Sequence, residues 1–277
     1  MTYQELLKYG ESALMEERIP DYCADAWLLF QYVFRMNRLD YLMHLSGHAD
    51  AGKEEQYRAL IRKRQTHYPL QYITHEQNFM GLDFYVDENV LIPRQDTEVL
   101  VEHTLKFVRD DMRVLDMCTG SGCIIVSIAA NRRLARAAGT DLSEAALRIA
   151  AQNAAANHVP DIEWIQSDLF ADICGTFDVI VSNPPYIPSG EIETLMCEVK
   201  QYEPVMALDG SGDGLAFYRK IIAEAKEYLS ENGMLFLEIG WNQAEDVSRL
   251  METAGYTGIT VQKDLAGLDR VVYAYRP

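Results

Sequence analysis

Long apolar runs are missing from this chain. No stretch reaches the roughly 20 consecutive apolar residues that cross a bilayer as a helix, so the sequence reads as a cytoplasmic protein with no membrane partner. Cysteine is sparse as well: Cys23, Cys118, Cys123, Cys174 and Cys197 are an odd number at irregular spacing, without a CxxC pair or a Cys/His cluster. That pattern excludes a zinc module and a disulfide framework, and it predicts reduced, mostly buried thiols with no metal. Positive charge is also short. The 25 Lys and Arg residues face 42 Asp and Glu, a net charge of -17. The deficit is uneven: residues 1–75 hold 9 basic against 10 acidic side chains, and the remainder 16 against 32. A surface this acidic lacks the Lys/Arg density that grips phosphates, so direct nucleic-acid binding is not expected.

What is present looks globular. Hydrophobic residues make up 48% and charged ones 24%, which argues against disorder or a fibre. At 277 residues the chain can build one large domain or two of ordinary size. The opening "MTYQELLKYGESALMEERIP" is amphipathic with four glutamates, unlike a signal or transit peptide. The first ~65 residues predict a small helical bundle. Its helices fall on the amphipathic face of Leu6, Leu7, Tyr9, Leu14 and Met15, in "ADAWLLFQYVFRM" with Asp21 as a cap, in "LDYLMHL", and in "DAGKEEQYRALIRKRQTH" behind Asp50. The last contains the one basic run, Arg58, Arg62, Lys63 and Arg64, which reads either as a solvated helix face or as a docking surface for an acidic partner.

Pro69 ends this region, and β-branched and aromatic residues then predict a linking β-hairpin over 69–92 with a turn at 81–83. From 93 to 277 strand and helix patterns alternate. They imply a mostly parallel, Rossmann-like sheet closed by an antiparallel C-terminal hairpin, "YTGITVQKD" and "LDRVVYAYR". The expected domains are therefore 1–68, 69–92 and 93–277.

In such a sheet a ligand sits beyond the carboxyl ends of the strands. The strand "RVLDM" runs into "CTGSGC", where Gly120 and Gly122 allow a tight turn at a helix N-terminus. About 20 residues on, Asp141 ends the next strand, where a carboxylate can accept hydrogen bonds from two ribose hydroxyls. A strand-end Asp also commonly caps the following helix, and Ser143 is adjacent. Asp168 ends the third strand, within reach of an adenine amine. The sixth position of the turn is Ile125 rather than Gly, and no G-x-x-x-x-G-K-[ST] occurs, so neither a dinucleotide nor a P-loop nucleotide is favoured.

The fourth strand delivers "VSNPPYIPSG" to the same edge. A planar –NH2 is a poor nucleophile because its lone pair is delocalised. Asn183 Oδ1 can accept one of its hydrogens and the Pro184 carbonyl, held by two successive prolines, the other. Two acceptors aim the nitrogen at an electrophile, and Tyr186 offers a flat face.

These residues resemble the class I S-adenosylmethionine-dependent methyltransferases, and more narrowly the release factor glutamine methyltransferases of the PrmC/HemK family. The narrower likeness rests on "PLQYITHEQNFMGLDF" (69–84), "VLIPRQDTE" (90–98), "VLDMCTGSG" (114–122), "SNPPYIP" (182–188), "YEPVMALDGSGDGLAFYR" (202–219), and the closing "LEIGWNQ" and "DLAGLDRVV". The resemblance implies methylation of the glutamine side-chain amide in the Gly-Gly-Gln motif of class I peptide chain release factors, by direct displacement, leaving S-adenosylhomocysteine. It implies that Cys118, Thr119, Gly120, Ser121 and Gly122 wrap the methionine end of the cofactor. Asp141 would hold its ribose, Asp168 and Leu169 its adenine, and Asn183 would lie beside it. Asn183, Pro184, Pro185 and Tyr186 would bind the substrate amide, with Phe79 packing beside it; Arg94 and Glu98 would order the pocket or its lid. The chain departs from the family at Cys118, usually Gly, at His75, where Gly is common, and at Leu169, where an aromatic can stand. A monomer is expected. The competing readings are an adenine exocyclic-amine DNA methyltransferase, which NPPY fits equally well, and an inert cofactor-binding adaptor.

Overall fold

The computed structural model describes residues 1–276. They form two compact units, one of residues 1–75 with 196–202, the other of 76–195 with residue 203 onward.

The first unit is helical. Its helices are Tyr3–Glu16, Tyr22–Phe34, Arg38–Met43 and Ala51–Gln65, with short ones at Leu70–Thr74 and Cys197–Tyr202. Thr2 and Glu5 form a reciprocal capping box at the first, and Asp50 accepts from the Gly52 and Lys53 N–H groups at the fourth. Asp21 makes no such bond. Leu6, Leu14, Leu29, Phe30, Tyr57 and Ile61 are buried between the helices. The basic run is internally occupied: Arg58 pairs with Glu54, Arg62 with Glu55, and Lys63 lies over the Tyr68 ring. Arg64 is not on a solvated face at all. It is 4% exposed and bonds Asp25 (2.7 Å) and Glu198 (2.9 Å).

The expected hairpin of 69–92 is much shorter. Leu70–Thr74 is helical, and only β1 (Gln77–Phe79) and β2 (Leu82–Phe84) pair, with Phe79 opposite Leu82. The turn is therefore Met80–Gly81, both at positive φ, as a two-residue hairpin loop requires.

The second unit is the mostly parallel sheet foreseen. Its strands are β3 (Arg113–Met117), β4 (Arg136–Asp141), β5 (Glu163–Gln166), β6 (Phe177–Ser182), β7 (Leu229–Glu238), β8 (Thr257–Lys263) and β9 (Asp269–Tyr275), in the order β5-β4-β3-β6-β7-β9-β8. Only β9 runs against its neighbours, closing the sheet as the antiparallel hairpin. Central strands alternate between two apolar layers. Leu115, Ile180, Leu235 and Leu237 face one, with Tyr218 and Ile221, whereas Val114, Val179, Val181 and Phe236 face the other, with Ile124 and Val101. Burial on both faces explains why these strands read as continuous hydrophobic runs. The chain leaves β3 for β4 and β5 and returns to β6 on the other side, which makes the β3/β6 carboxyl end the switch point. No helix among the described residues is long and apolar enough to cross a membrane. Of the cysteines only Cys123 is buried; Cys23 and Cys174 are exposed, contrary to the expectation of mostly buried thiols.

The amino end of the sheet carries an acid-sensitive tie. Asp178, on β6, accepts from the Arg113 backbone N–H (2.8 Å) and guanidinium (2.8 and 3.2 Å) and from Ser230 Oγ (2.7 Å). The Arg113 bonds above all hold its carboxyl down at about 2, against an ordinary 3.8. The tie thus stabilises fully above the ordinary carboxylate range and is lost as pH falls through about 2. Urea midpoints across that acid range should drop more steeply for the wild type than for Asp178→Asn; parallel curves would remove this role.

Candidate active site

The turn after β3 begins with Cys118 at φ 60°, a left-handed conformation that disfavours a Cβ. That backbone explains why glycine suits the position, and here the strain is accepted. Cys118 is half-buried, and desolvation pushes its thiol up, so it is protonated rather than a nucleophile. Gly122, at φ 80°, caps the helix Cys123–Asn131; a Cβ there would meet Ala150 Cβ at 3.0 Å. Beneath the turn Asp116 is wholly buried. Its Oδ2 accepts from Thr119 Oγ1 (2.5 Å) and the Ile125 N–H (3.3 Å), its Oδ1 has no partner among the described residues, and burial pushes its carboxyl up to about 7.

At the tip of β4, Asp141 accepts from Gly120 N–H at Oδ2 and from Ser143 N–H at Oδ1, both at 2.9 Å. Burial raises its pKa and these backbone donors oppose the rise. Ser143 Oγ, not Asp141, caps the following helix by accepting from the Ala146 N–H. Each Asp141 oxygen retains acceptor capacity. Past β5, Asp168 and Leu169 follow, Leu169 at φ 52°.

The tip of β6 presents Asn183. Its Nδ2 donates to Thr97 Oγ1 (3.2 Å), in the first turn of the helix Gln95–Phe107. The loop is held by its backbone: Ser182 Oγ donates to the Met117 carbonyl (2.7 Å), Gln243 Nε2 to the Tyr186 carbonyl (3.0 Å), and Gly210 N–H to the Ile187 carbonyl (2.8 Å).

These tips converge on one cavity of about 460 Å³, large enough for a small-molecule ligand. Cys118, Gly120, Asp141, Asp168, Leu169, Asn183 and Pro185 line it. Thr119, Ser121, Gly122, Pro184 and Tyr186 do not. Thr119 and Ser121 are buried beneath the turn, Pro184 is buried, and Tyr186 packs against the core, where burial keeps its hydroxyl protonated. Phe79, expected beside the substrate, is 1% exposed and stacks edge-on against Phe84, because strand alternation turns it inward. Glu98 does not face the cavity; its Oε1 accepts from the Met80 N–H (2.6 Å).

The remaining wall comes from two segments, Asn89–Leu91 and Pro204–Ala207, with Phe217. The Arg94 guanidinium donates to the buried Glu203 (2.5 Å), which also accepts from Ile92 N–H (3.4 Å), pinning the segments together. Glu203, Thr97 and Glu238 escaped the sequence reading. A signal existed for Glu238, a lone acid inside the apolar "MLFLEIG".

Known proteins share this organisation. The family described as PrmC N-terminal domain matches residues 5–74, and that described as methyltransferase small domain matches 94–200. A protein of Clostridium acetobutylicum named release factor glutamine methyltransferase is 38% identical over 100% of this chain and 99% of its own length. Among solved structures, a methyltransferase from Pyrococcus furiosus superposes with a TM-score of 0.53 at 19% identity, covering 80% of this chain and 98% of that one. The T. thermophilus 16S rRNA N2 G1207 methyltransferase, solved with AdoMet and guanosine, gives 0.52 at 16% identity, covering 73% and 50%. The last two are likenesses of fold.

Proposed function

The chain belongs to the release factor glutamine methyltransferase family, and from that premise we propose that it methylates the side-chain amide nitrogen of the glutamine in the Gly-Gly-Gln motif of class I peptide chain release factors. The observation that carries the reading is the convergence of Asn183, Asp141 and the 118–122 turn on one cavity at the switch point.

The residues present fit S-adenosylmethionine. The turn brings Cys118 and Gly120 to the wall, Asp141 has lone pairs left for ribose hydroxyls, and Asp168 and Leu169 supply a polar and an apolar contact for adenine. When bound, the cofactor would supply an electrophilic methyl group: the N–CH3 bond would form as the S–CH3 bond breaks, S-adenosylhomocysteine would leave, and the nitrogen's extra proton would pass to solvent. Everything else is positioning. Asn183, on the cavity wall, accepts one of the amide hydrogens at its Oδ1 and so orients the nitrogen toward the methyl. The two prolines fix the loop's φ angles, and Tyr186 anchors it from behind through its carbonyl bond to Gln243. Asp141 and Asp168 would hold the cofactor from the neighbouring strand tips. Arg94, through Glu203, keeps the roof segments closed over it and excludes water.

The test is mass spectrometry of a release factor after incubation with the protein and S-adenosylmethionine, with duplex DNA incubated in parallel. One added methyl group on the Gly-Gly-Gln glutamine is expected, with none on DNA. Methyl groups on adenine and none on the release factor would overturn the assignment.

A further inference from the structure

Behind Asn183, outside the cavity wall, stands an acid with no structural excuse. β6 and β7 pair with Ser182 opposite Leu237, so the next residues, Asn183 and Glu238, leave adjacent parallel strands side by side. Glu238 is 1% exposed, and its Oε2 has no hydrogen-bond partner among the described residues. Thr97, 2% exposed, holds the amide: its Oγ1 accepts from Asn183 Nδ2. Asn183 and Thr97 are polar side chains beside the Glu238 carboxylate, and both favour its ionised form.

The two ends of a carboxamide have nearly the same shape and differ in hydrogen bonding, so the neighbours decide which end faces where. An ionised carboxylate only accepts. Whatever Asn183 turns toward Glu238 must be its –NH2, and the Thr97 hydroxyl accepts from that same –NH2. The amide oxygen then faces the cavity. We propose that Glu238 and Thr97 are positioning residues that lock the orientation of the Asn183 amide, so that its oxygen is presented to the substrate nitrogen. The inference rests on the methyl-transfer reading only for its consequence; the lock itself belongs to the free protein.

Electrostatics around the acid agree with this. Burial pushes Glu238 up to about 7, while the neighbouring Thr97, the charge of Arg270 and the neighbouring Asn183 pull it down; Asp96 pushes it up. Arg270 is shared with Asp96 and Asp264, and Tyr186, Tyr218 and Cys123 are other titratable neighbours. Only the ionised acid locks the amide, so turnover should rise as pH climbs through neutrality. Asp116 titrates in the same range, which makes the difference between wild type and Glu238→Gln the informative quantity.

The first test needs no substrate. In the ligand-free protein, the Asn183 Nδ2 protons should exchange slowly with solvent by NMR and become fast in Glu238→Gln and Thr97→Val, with Thr97→Ser remaining slow. Equal exchange in all four proteins overturns the lock. The second is kinetic. Glu238→Gln and Thr97→Val should each lower kcat by roughly tenfold, as a misdirected acceptor does, with the cofactor Kd unchanged and Thr97→Ser restoring activity. In an Asn183→Ala background neither should cost anything further, because both act through that one amide. Losses that multiply with Asn183→Ala, or a cofactor Kd that rises with them, would mean a structural role and overturn the proposal. A wild type that leaves the release factor unmethylated while the exchange pattern holds overturns the proposed function and leaves the lock standing.

Discussion

Replacing Asn183 by alanine is expected to lower kcat for glutamine methylation by about 100-fold, the usual cost of deleting one polar group aimed at a reacting centre, with the cofactor Kd little changed. The two quantities separate because of how the loop is held. Asn183 contributes one side-chain bond, to Thr97, whereas the NPPY backbone is fixed by Ser182, Gln243 and Gly210. The alanine variant should therefore keep its loop, and with it the Pro185 contribution to the cavity wall. What it would lose is the acceptor proposed for the substrate amide, which no neighbouring cavity residue replaces. Calorimetry for the cofactor and single-turnover methylation make the separation measurable. Near-wild-type turnover, or a cofactor Kd that weakens as much as kcat falls, would remove Asn183 from the role given to it.

The largest stability effect is expected at Arg64. It is buried in the helical unit, its Nε 2.7 Å from Asp25 and one terminal nitrogen 2.9 Å from Glu198, and its remaining nitrogen donates to the Tyr68 carbonyl (3.3 Å). Asp25 is 6% exposed, and its burial already raises its pKa against the pull of this one guanidinium. Arg64→Ala leaves that acid without its cation, at a cost of roughly 3–5 kcal/mol in unfolding free energy. The pair itself is worth far less than its disruption suggests. The double change Arg64→Met with Asp25→Leu should recover most of the loss, because burying two ions also costs desolvation. Urea titrations of the three proteins decide this. A single alanine variant within about 1 kcal/mol of wild type would place Arg64 among ordinary surface charges.

The Arg64 case shows where reading the sequence stops. Four basic residues within two helical turns look alike on paper, and a solvated face was one fair expectation. Burial follows from which side of Ala51–Gln65 packs on Asp25 and Glu198, and Glu198 lies more than a hundred residues away. Phe79 failed for a related reason. A hairpin aromatic beside a site motif suggests substrate contact, but strand alternation turned it into the core. The cavity roof is similar: Asn89–Leu91 and Pro204–Ala207 are remote in the chain, and Glu203 ties them together through its bonds to Arg94 and the Ile92 N–H.

The sequence by itself determined the alternation that makes a parallel sheet, the glycine turn, the acids at successive strand ends and the NPPY stop on the fourth strand. All of these are local, because strand period, turn glycines and proline-fixed φ angles act within a few residues. Tertiary structure decided what those residues touch. It gave helix capping to Ser143 and left Asp141 to the cavity, turned Tyr186 toward the core, and set Thr97 and Glu238 behind Asn183. The reason is strand order. Returning from β5 across β3 to β6 brings distant tips side by side, and the β6–β7 register sets Asn183 beside an acid that nothing near it in sequence could announce.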